Sequence, residues 1–365
     1  MEFKKEGFKK YTCIILLLCF ITTLSGCTSI KTGSTTSAGD VYKGTEGLEI
    51  SFIDNTLAQK IYVTPDTKLP ISLKIENKGA TSLEYDDIKI FYEGFDHDYI
   101  TGIKYEEYMS SDFEPIEGKS SYNPEGGSSL KIFESGNILL PSNLNSYNPN
   151  FVVSWLYNYQ TIASTTVCVD PRPYQITGIQ KPCTPQDVTL SGGQGAPVAV
   201  TKVEVIPGSS RTTFRIHIKN IGSGSIVNRY INSPSEIGIT SANKIDEYSV
   251  LVGNKYVYCQ PEVLQFFDKN TEAILQCQHY HEVDEDNAYE TVIQVRLNYK
   301  YYDSVSQQLQ LIKVDDYEDR LISLLGSSGY SSRDEFRDAI NTINDIEQAI
   351  RMTERTIDSW QNIGR

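Results

Sequence analysis

The chain is poor in the residues that most often carry chemistry. Its 365 residues include only four histidines, three methionines and two tryptophans. No Gly-x-Ser-x-Gly turn presents a nucleophilic serine. The one glycine-rich stretch, Ser191-Gly192-Gly193-Gln194-Gly195-Ala196-Pro197, lacks a following Gly-Lys-Ser/Thr and leads into a strand, so it is no phosphate loop. It reads as a domain linker or a tight turn between strands. No Asn-x-Ser/Thr sequon occurs, so glycosylation by that rule is not expected. Basic charge is also short: 33 Lys and Arg stand against 47 Asp and Glu, a net charge of −14. That balance argues against a nucleic-acid partner, whose phosphates need neutralising, and against adsorption to an anionic membrane face. So many carboxylates always permit some close pair, so an envelope hydrolase remains a rival without a motif behind it. No apolar run approaches the roughly twenty residues of a spanning helix.

The run that does exist, Cys13–Leu24, follows Lys4, Lys5, Lys9 and Lys10 and ends in Leu24-Ser25-Gly26-Cys27. A basic head, a short apolar stretch and small residues before a cut form a secretory signal. The terminal Leu-Ser-Gly-Cys resembles the lipobox of bacterial and archaeal lipoproteins. The resemblance implies that residues 1–26 are removed and that Cys27 becomes the lipidated N-terminus. The alternative is an uncleaved N-terminal anchor, and the leading lysines suit the positive-inside bias in either case. Both put the body outside the cytoplasm. Residues 27–46 hold few large apolar side chains and read as a flexible stalk.

Seven cysteines are present. Cys13 and Cys19 fall in the signal and Cys27 in the lipobox. That leaves Cys168, Cys183, Cys259 and Cys277, an even set in an exported chain, which points to disulfides. Proximity favours Cys168–Cys183 and Cys259–Cys277 over a cross-pairing or free thiols. Neither pair has the spacing of a zinc knuckle.

From Leu48 the apolar residues alternate. Leu48, Ile50 and Phe52, then Ile71, Leu73 and Ile75, then Ile88, Ile90 and Tyr92, mark short strands. A long polar stretch, 93–127, interrupts them. Val153, Trp155, Tyr157 and Tyr159 resume the pattern, and Thr165, Val167 and Val169 close it at Asp170-Pro171. The order then repeats. Phe214, Ile216 and Ile218 run into Asn220-Ile221-Gly222, as Ile71, Leu73 and Ile75 run into Asn77-Lys78-Gly79, at an offset of 143. Val295, Leu297, Tyr299 and Tyr301 echo Val153 to Tyr159 at an offset of 142. Leu309 and Leu311 echo Val167 and Val169. Such order at nearly one offset indicates an internal duplication. Each Asn-x-Gly is expected to turn the chain, with glycine supplying a positive φ.

The two stretches Ile71–Gly79 and Phe214–Gly222 are similar to the signature of CARDB-like immunoglobulin-fold modules of microbial surface proteins. Together with Cys168-Val169-Asp170-Pro171 and the glycine-rich segment, they resemble poorly characterised exported archaeal proteins. The resemblance implies a mainly β fold with two tandem immunoglobulin-like β-sandwiches, over residues 47–190 and 198–314 with a linker at 191–197. It also implies a surface adhesion or assembly role, by fold analogy alone.

Metal chemistry has weak candidates. His279-Tyr280-His281 would put two imidazoles on one strand face, Asp284-Glu285-Asp286-Asn287 offers clustered oxygens, and Asp96-His97-Asp98 is similar. None is completed by further ligands, and the bland reading is polar strand or loop. No cofactor is expected.

Past Ile312 the period becomes helical, and residues 315–365 read as a C-terminal helical segment. Asp316–Leu325 suits a short helix, and Ser332-Arg333-Asp334-Glu335 is a capping box opening a long one. Phe336, Ile343, Ile350 and Ile357 fall on one heptad site, and Ala339, Ile346, Thr353 and Trp360 on the other. At 1.5 Å per residue this helix would be about 45 Å long. Its seam either packs on Asp316–Leu325 as an internal brace or associates with a second copy or a partner's helix. Phe336, Ile343, Ile346, Ile350, Ile357 and Trp360 are the partner-binding candidates.

The sequence thus predicts a lipid-anchored protein on the outer face of the membrane, not an enzyme. Envelope proteins or polymers are its expected partners. A solute-binding lipoprotein is the first rival, although such proteins usually alternate strands and helices.

Overall fold

The structure, a computed structural model, describes residues 43–314 except 65, 110–113, 142, 176–179, 239–241, 268–271 and 283–285. Cys27, the stalk before residue 43 and the whole 315–365 segment, with its heptad positions, lie outside the described residues. The described chain is mainly β, and it contains no α-helix. Its strands are β1 (Leu48–Phe52), β2 (Lys60–Val63), β3 (Pro70–Asn77), β4 (Ile88–Glu93), β5 (Glu106–Tyr108), β6 (Ser128–Glu134), β7 (Ser146–Tyr147) and β8 (Asn150–Val169) in the first half. After β9 (Val188–Thr189) come β10 (Val198–Ile206), β11 (Arg211–Asn220), β12 (Ser225–Val227), β13 (Lys244–Ile245), β14 (Glu247–Val252), β15 (Lys255–Tyr256) and β16 (Tyr258–Gln260). The last four are β17 (Leu264–Gln265), β18 (Glu272–Tyr280), β19 (Tyr289–Gln308) and β20 (Gln310–Lys313).

Two strands of 20 residues each organise the fold. Neither β8 nor β19 contains glycine or proline, and both are rich in β-branched and aromatic residues, which suit an extended backbone. They pair antiparallel along their whole length, from Asn150 opposite Gln308 to Val169 opposite Tyr289. Strands from both halves extend this pair into one seven-stranded sheet, ordered β15-β14-β19-β8-β4-β5, with β12 also on β19. Asn158 faces Lys300, and Tyr157 and Tyr159 face Tyr301 and Tyr299. Each residue and its repeat equivalent are 142 apart at this point, so a pseudo-twofold axis runs through the Asn158–Lys300 pair.

The flanking sheets obey the same relation. A three-stranded sheet β1-β3-β6 belongs to the first half, and a five-stranded sheet β16-β18-β11-β10-β9 to the second. The pairing of Leu48 with Asn77 recurs as Val198 with Asn220. The pairing of β3 with β6 recurs as β11 with β18. A small sheet β2-β20-β7 returns the end of the second half to the first, β2 and β20 being parallel. One continuous apolar core joins the sheets, with Ile71, Leu73, Ile75, Phe151, Val153, Phe214, Ile216 and Leu297 all sealed from solvent. Burying such side chains, at about 1.5–3 kcal/mol each, is the main stabilising term.

Each Asn-x-Gly turn is closed by bonds within its own half. Asn77 Nδ2 donates to Thr81 O (2.7 Å) and Ile116 O (3.0 Å), and its Oδ1 accepts from Gly79 N (3.2 Å). Asn220 repeats this with Gly224 O (3.0 Å) and Gly222 N (3.3 Å). Tyr159 and Tyr301 direct their hydroxyls to Asn77 and Asn220, at 3.5 and 2.9 Å. One expectation is corrected here: neither Gly79 nor Gly222 takes a positive φ. They are glycines because of crowding. A Cβ on Gly79 would overlap the Tyr159 hydroxyl, and one on Gly222 would stand 2.6 Å from the Tyr301 hydroxyl.

Candidate binding face

Two hollows lie near the pseudo-axis. One, of about 320 Å³, runs between Glu46–Ser51 and Asp303–Val305 over Trp155, Tyr157 and Tyr301. The other, about 300 Å³, lies on the opposite face of the long strands among Asp87, Asn158, Gln160, Arg229, Glu247 and Asn298. The polar groups of the second are engaged with one another. Asn158 donates to Asp87 (3.1 Å), Gln160 to Asn298 (2.7 Å), and Asn298 to Glu247 (2.9 Å). Nearby, Phe91, Leu156, Val227 and Ile231 form a small second core. Lys300 Nζ donates to Ile231 O there (2.6 Å), and burial together with the neighbouring Lys89 charge lowers its pKa. Burial pushes the Tyr157, Tyr159, Tyr299 and Tyr301 phenols well above their ordinary range, so they act as neutral hydroxyls. Of the bonds around this hollow, the one from Gln160 to Asn298 joins the two halves.

The outer face of the five-stranded sheet is different. Cys259 on β16 stands opposite Cys277 on β18, their Cα atoms 4.0 Å apart, and the two are joined by a disulfide facing the core. Side chains alternate across a sheet, so the residues flanking each cysteine face outward: Tyr258 and Gln260 on one strand, Gln276 and Gln278 on the other. Register continues the rows to β11, where Arg215 lies opposite Gln276 and Thr213 opposite Gln278. Tyr258 and Tyr280 are 59% and 60% exposed, as several other tyrosines of the chain are. Tyr280 donates to Gln278 Oε1 (2.8 Å), and Gln260 donates to the Tyr258 hydroxyl (2.9 Å). The Arg211 guanidinium lies 6.0 Å from the Tyr280 ring centre. A hollow of about 560 Å³ opens here, lined by Arg215, Tyr258, Gln260, Pro261, Glu262, Ile274 and Gln276.

Beside this face the charges neutralise each other. Glu204 reaches Lys202 (3.0 Å) and Arg215 (3.2 Å), and lies 3.1 Å from His217 Nε2 without forming a hydrogen bond there. Glu272 sits 2.7 Å from His217 Nδ1 and 3.6 Å from Lys219. Burial works to raise the Glu272 pKa, but the hydrogen bond and charge of His217 outweigh it and hold the carboxyl below its usual range.

The sequence candidates scatter. Cys168 and Cys183 form a second disulfide, with Cα atoms 5.9 Å apart, at the end of β8. Asp170, just beyond it, accepts from Lys181 (2.6 Å). His279 lies on the core side of β18, and His281 follows the strand's last residue, partly buried, with the two ring centres 6.3 Å apart. His279 Nε2 lies 3.2 Å from the Tyr289 hydroxyl and His281 Nε2 lies 2.9 Å from Thr212 Oγ1. His97 stacks between Phe95 and Tyr105. Asp286 pairs with Arg172, and residues 283–285 lie outside the described set. Among the described residues no group of three or more His, Cys, Asp or Glu side chains is arranged to hold a metal ion. None of their helices is long and apolar enough to cross a membrane. Tyr258, Gln260 and Gln276 were not singled out from the sequence. Their signal is the Tyr-Cys-Gln and Gln-Cys-Gln triplets: a cysteine pair facing the core obliges its neighbours to face out.

No protein-family model matches the chain, and no curated protein matches it.

Proposed function

We propose that this chain is a lipid-anchored surface protein, held on the outer face of the membrane through Cys27, which acts as a non-enzymatic interaction module. Its body is two tandem immunoglobulin-like sandwiches, 47–190 and 198–314, that share their central sheet, followed by a helical segment over 315–365. The observation that carries the location is the lysine head, apolar run and Leu24-Ser25-Gly26-Cys27 read together. Two disulfides in the body suit an oxidising compartment. Support for an interaction role is the broad outer face of the five-stranded sheet, with its exposed tyrosines. A solute-binding lipoprotein would call for alternating strands and α-helices, and the described residues contain strands and two short 3-10 turns but no α-helix.

Cys27→Ser tests the anchor. The variant should leave the membrane fraction or remain unprocessed, and an intact, unmodified peptide from residues 1–30 in the mature wild-type protein would refute the lipoprotein reading. Recovery of partners from intact envelopes, with and without residues 315–365, tests the tail. In this reading the seam of Phe336, Ile343, Ile346, Ile350, Ile357 and Trp360 joins a second copy or a partner's helix. Ile343→Asp with Ile350→Asp should then lower both solution mass and partner recovery. Loss of thermal stability alone would make the tail an internal brace.

A further inference from the structure

We propose that the outer face of β16, β18 and β11 binds an uncharged saccharide chain of the cell envelope, through Tyr258, Gln260, Gln276 and Arg215. The proposal rests on the reading of the chain as an extracytoplasmic interaction protein and names the chemistry of its partner.

Four features of this face point to that ligand. First, its polar groups are mostly amides and phenols. An amide donates and accepts at once, as a sugar hydroxyl does, so the two match without a charge on either side. Second, the exposed Tyr258 ring offers an apolar plate beside those amides, as carbohydrate C–H faces require. Third, the face has no excess of one sign: Arg215 is paired with Glu204, the Arg211 guanidinium lies over the Tyr280 ring, and Glu262 lines the hollow as its one carboxylate. In a chain of net charge −14, a polyanion would meet repulsion without a free cationic row to offset it. Fourth, the Cys259–Cys277 disulfide lies directly beneath and fixes the two strands that carry Tyr258, Gln260 and Gln276. A face held in its binding geometry loses less freedom on binding. The 560 Å³ hollow falls within the range of small-ligand sites.

A peptide strand added at the sheet edge is a poorer occupant. The edge strand β16 has only three residues, and Pro261 follows it without an N–H to donate. The ligand must therefore come to the face. The duplication also supplies an internal control. Ser72 and Ile132 are opposite each other in the first half, where Arg215 and Gln276 are opposite in the second. Ile132 and Leu130 are exposed there, no cysteine pair lies beneath them, and no amide stands at either place.

The test uses the full-length chain carrying Cys27→Ser, so that binding is measured in solution and does not depend on anchoring. Probes are soluble maltohexaose, cellohexaose and yeast mannan, with hyaluronate as the polyanion, followed by titration calorimetry and by mobility in glycan-containing gels. At least one neutral glycan should bind in the micromolar to millimolar range. Tyr258→Ala and Gln276→Glu should each weaken it by about tenfold or more, the loss of a central contact, while Ile132→Ala should leave it unchanged. Gln276→Glu is a surface change that tests the amide even if Tyr258→Ala disturbs folding. No binding to any neutral probe at millimolar concentration, binding to hyaluronate alone, or equal weakening by Ile132→Ala would each overturn the proposal. Failure of the Cys27 anchor would show in membrane fractionation and leave these titrations unaffected.

Discussion

Replacing Asn77 by alanine should destabilise the whole described body and not the first half alone. Asn77 is sealed from solvent, and its amide makes three hydrogen bonds of 2.7, 3.0 and 3.2 Å to Thr81, Ile116 and Gly79. The bonds to Thr81 and Gly79 close the turn, and the bond to Ile116 ties the end of β3 to the 93–127 insertion. Each is worth about 1 kcal/mol net, and leaving a buried carbonyl unmet costs about 1–3 kcal/mol. Water reaching one of the two carbonyls would soften this, so about 3–4 kcal/mol is the expected loss. Asn220→Ala removes bonds of 3.0, 3.3 and 2.9 Å at the equivalent place and should cost about 2–3 kcal/mol.

The informative quantity is how the loss is shared. β8 and β19 pair over all 20 residues, so neither half can melt without exposing the other's central strand. Urea unfolding followed by circular dichroism, together with hydrogen exchange resolved on β8 and on β18, should therefore show one transition in the wild type. Both variants should move it to lower urea with little change in slope. Two separated transitions, with Asn77→Ala shifting only the one reported by the first half, would refute the shared sheet. A shift worth less than about 1 kcal/mol would refute the account of the Asn77 bonds.

Two further outcomes follow from single contacts. Cys259→Ser with Cys277→Ser opens a loop of sequence separation 18 and should cost about 3 kcal/mol in urea unfolding, and non-reducing peptide mapping of the wild type should recover that pair. Glu107 accepts from the Tyr92 hydroxyl (2.8 Å) and pairs with Lys131 (3.0 Å). Burial works to raise its pKa, but these partners outweigh it and leave it lowered. A lowered carboxylate stabilises the fold above the ordinary carboxylate range and stops doing so as pH falls through the folded value. Glu107→Gln should thus cost up to about 1 kcal/mol at neutral pH. Thermal melts of the two proteins should converge in acid, and a gap that persists or widens there would contradict this.

The strands were legible where the chain alternates cleanly. β1, β3, β4 and the central parts of β8 and β19 each place large apolar residues inward at every second position. β6 escaped because its pattern is inverted. Leu130 and Ile132 face solvent, while Lys131 points to the protein side and is neutralised by Glu107. Periodicity cannot reveal that exchange, because it records spacing and not direction. The duplication was visible as an offset, but how its copies meet was not. The meeting depends on β8 pairing with β19, and the two are related by a register that no local pattern encodes. The tyrosine and glutamine face was hidden for a related reason, since its importance comes from which sheet side the cysteines take.

The two Asn-x-Gly turns offer a last test, because duplication makes them comparable and the structure makes them unequal. A helix or turn glycine is usually kept for its backbone freedom, but Gly79 and Gly222 have ordinary negative or extended φ. What they lack is room. A Cβ on Gly79 would overlap the Tyr159 hydroxyl and stand 2.6 Å from Gly195 O and 2.8 Å from Glu46 O. Two of those three neighbours are backbone, and Ala80 N donates to that same Gly195 O (2.7 Å). A Cβ on Gly222 would meet Pro197 Cβ and the Tyr301 hydroxyl, each at 2.6 Å, which are side-chain atoms. Overpacking a rigid interior costs about 1–3 kcal/mol or more, and backbone yields less readily than a ring that can tilt. Gly79→Ala should therefore be the more damaging, at about 3 kcal/mol, and Gly222→Ala milder, at about 1–2 kcal/mol. If positive φ were the reason for both glycines, the two variants would instead lose nearly equal stability. The difference between their urea midpoints decides between crowding and conformation.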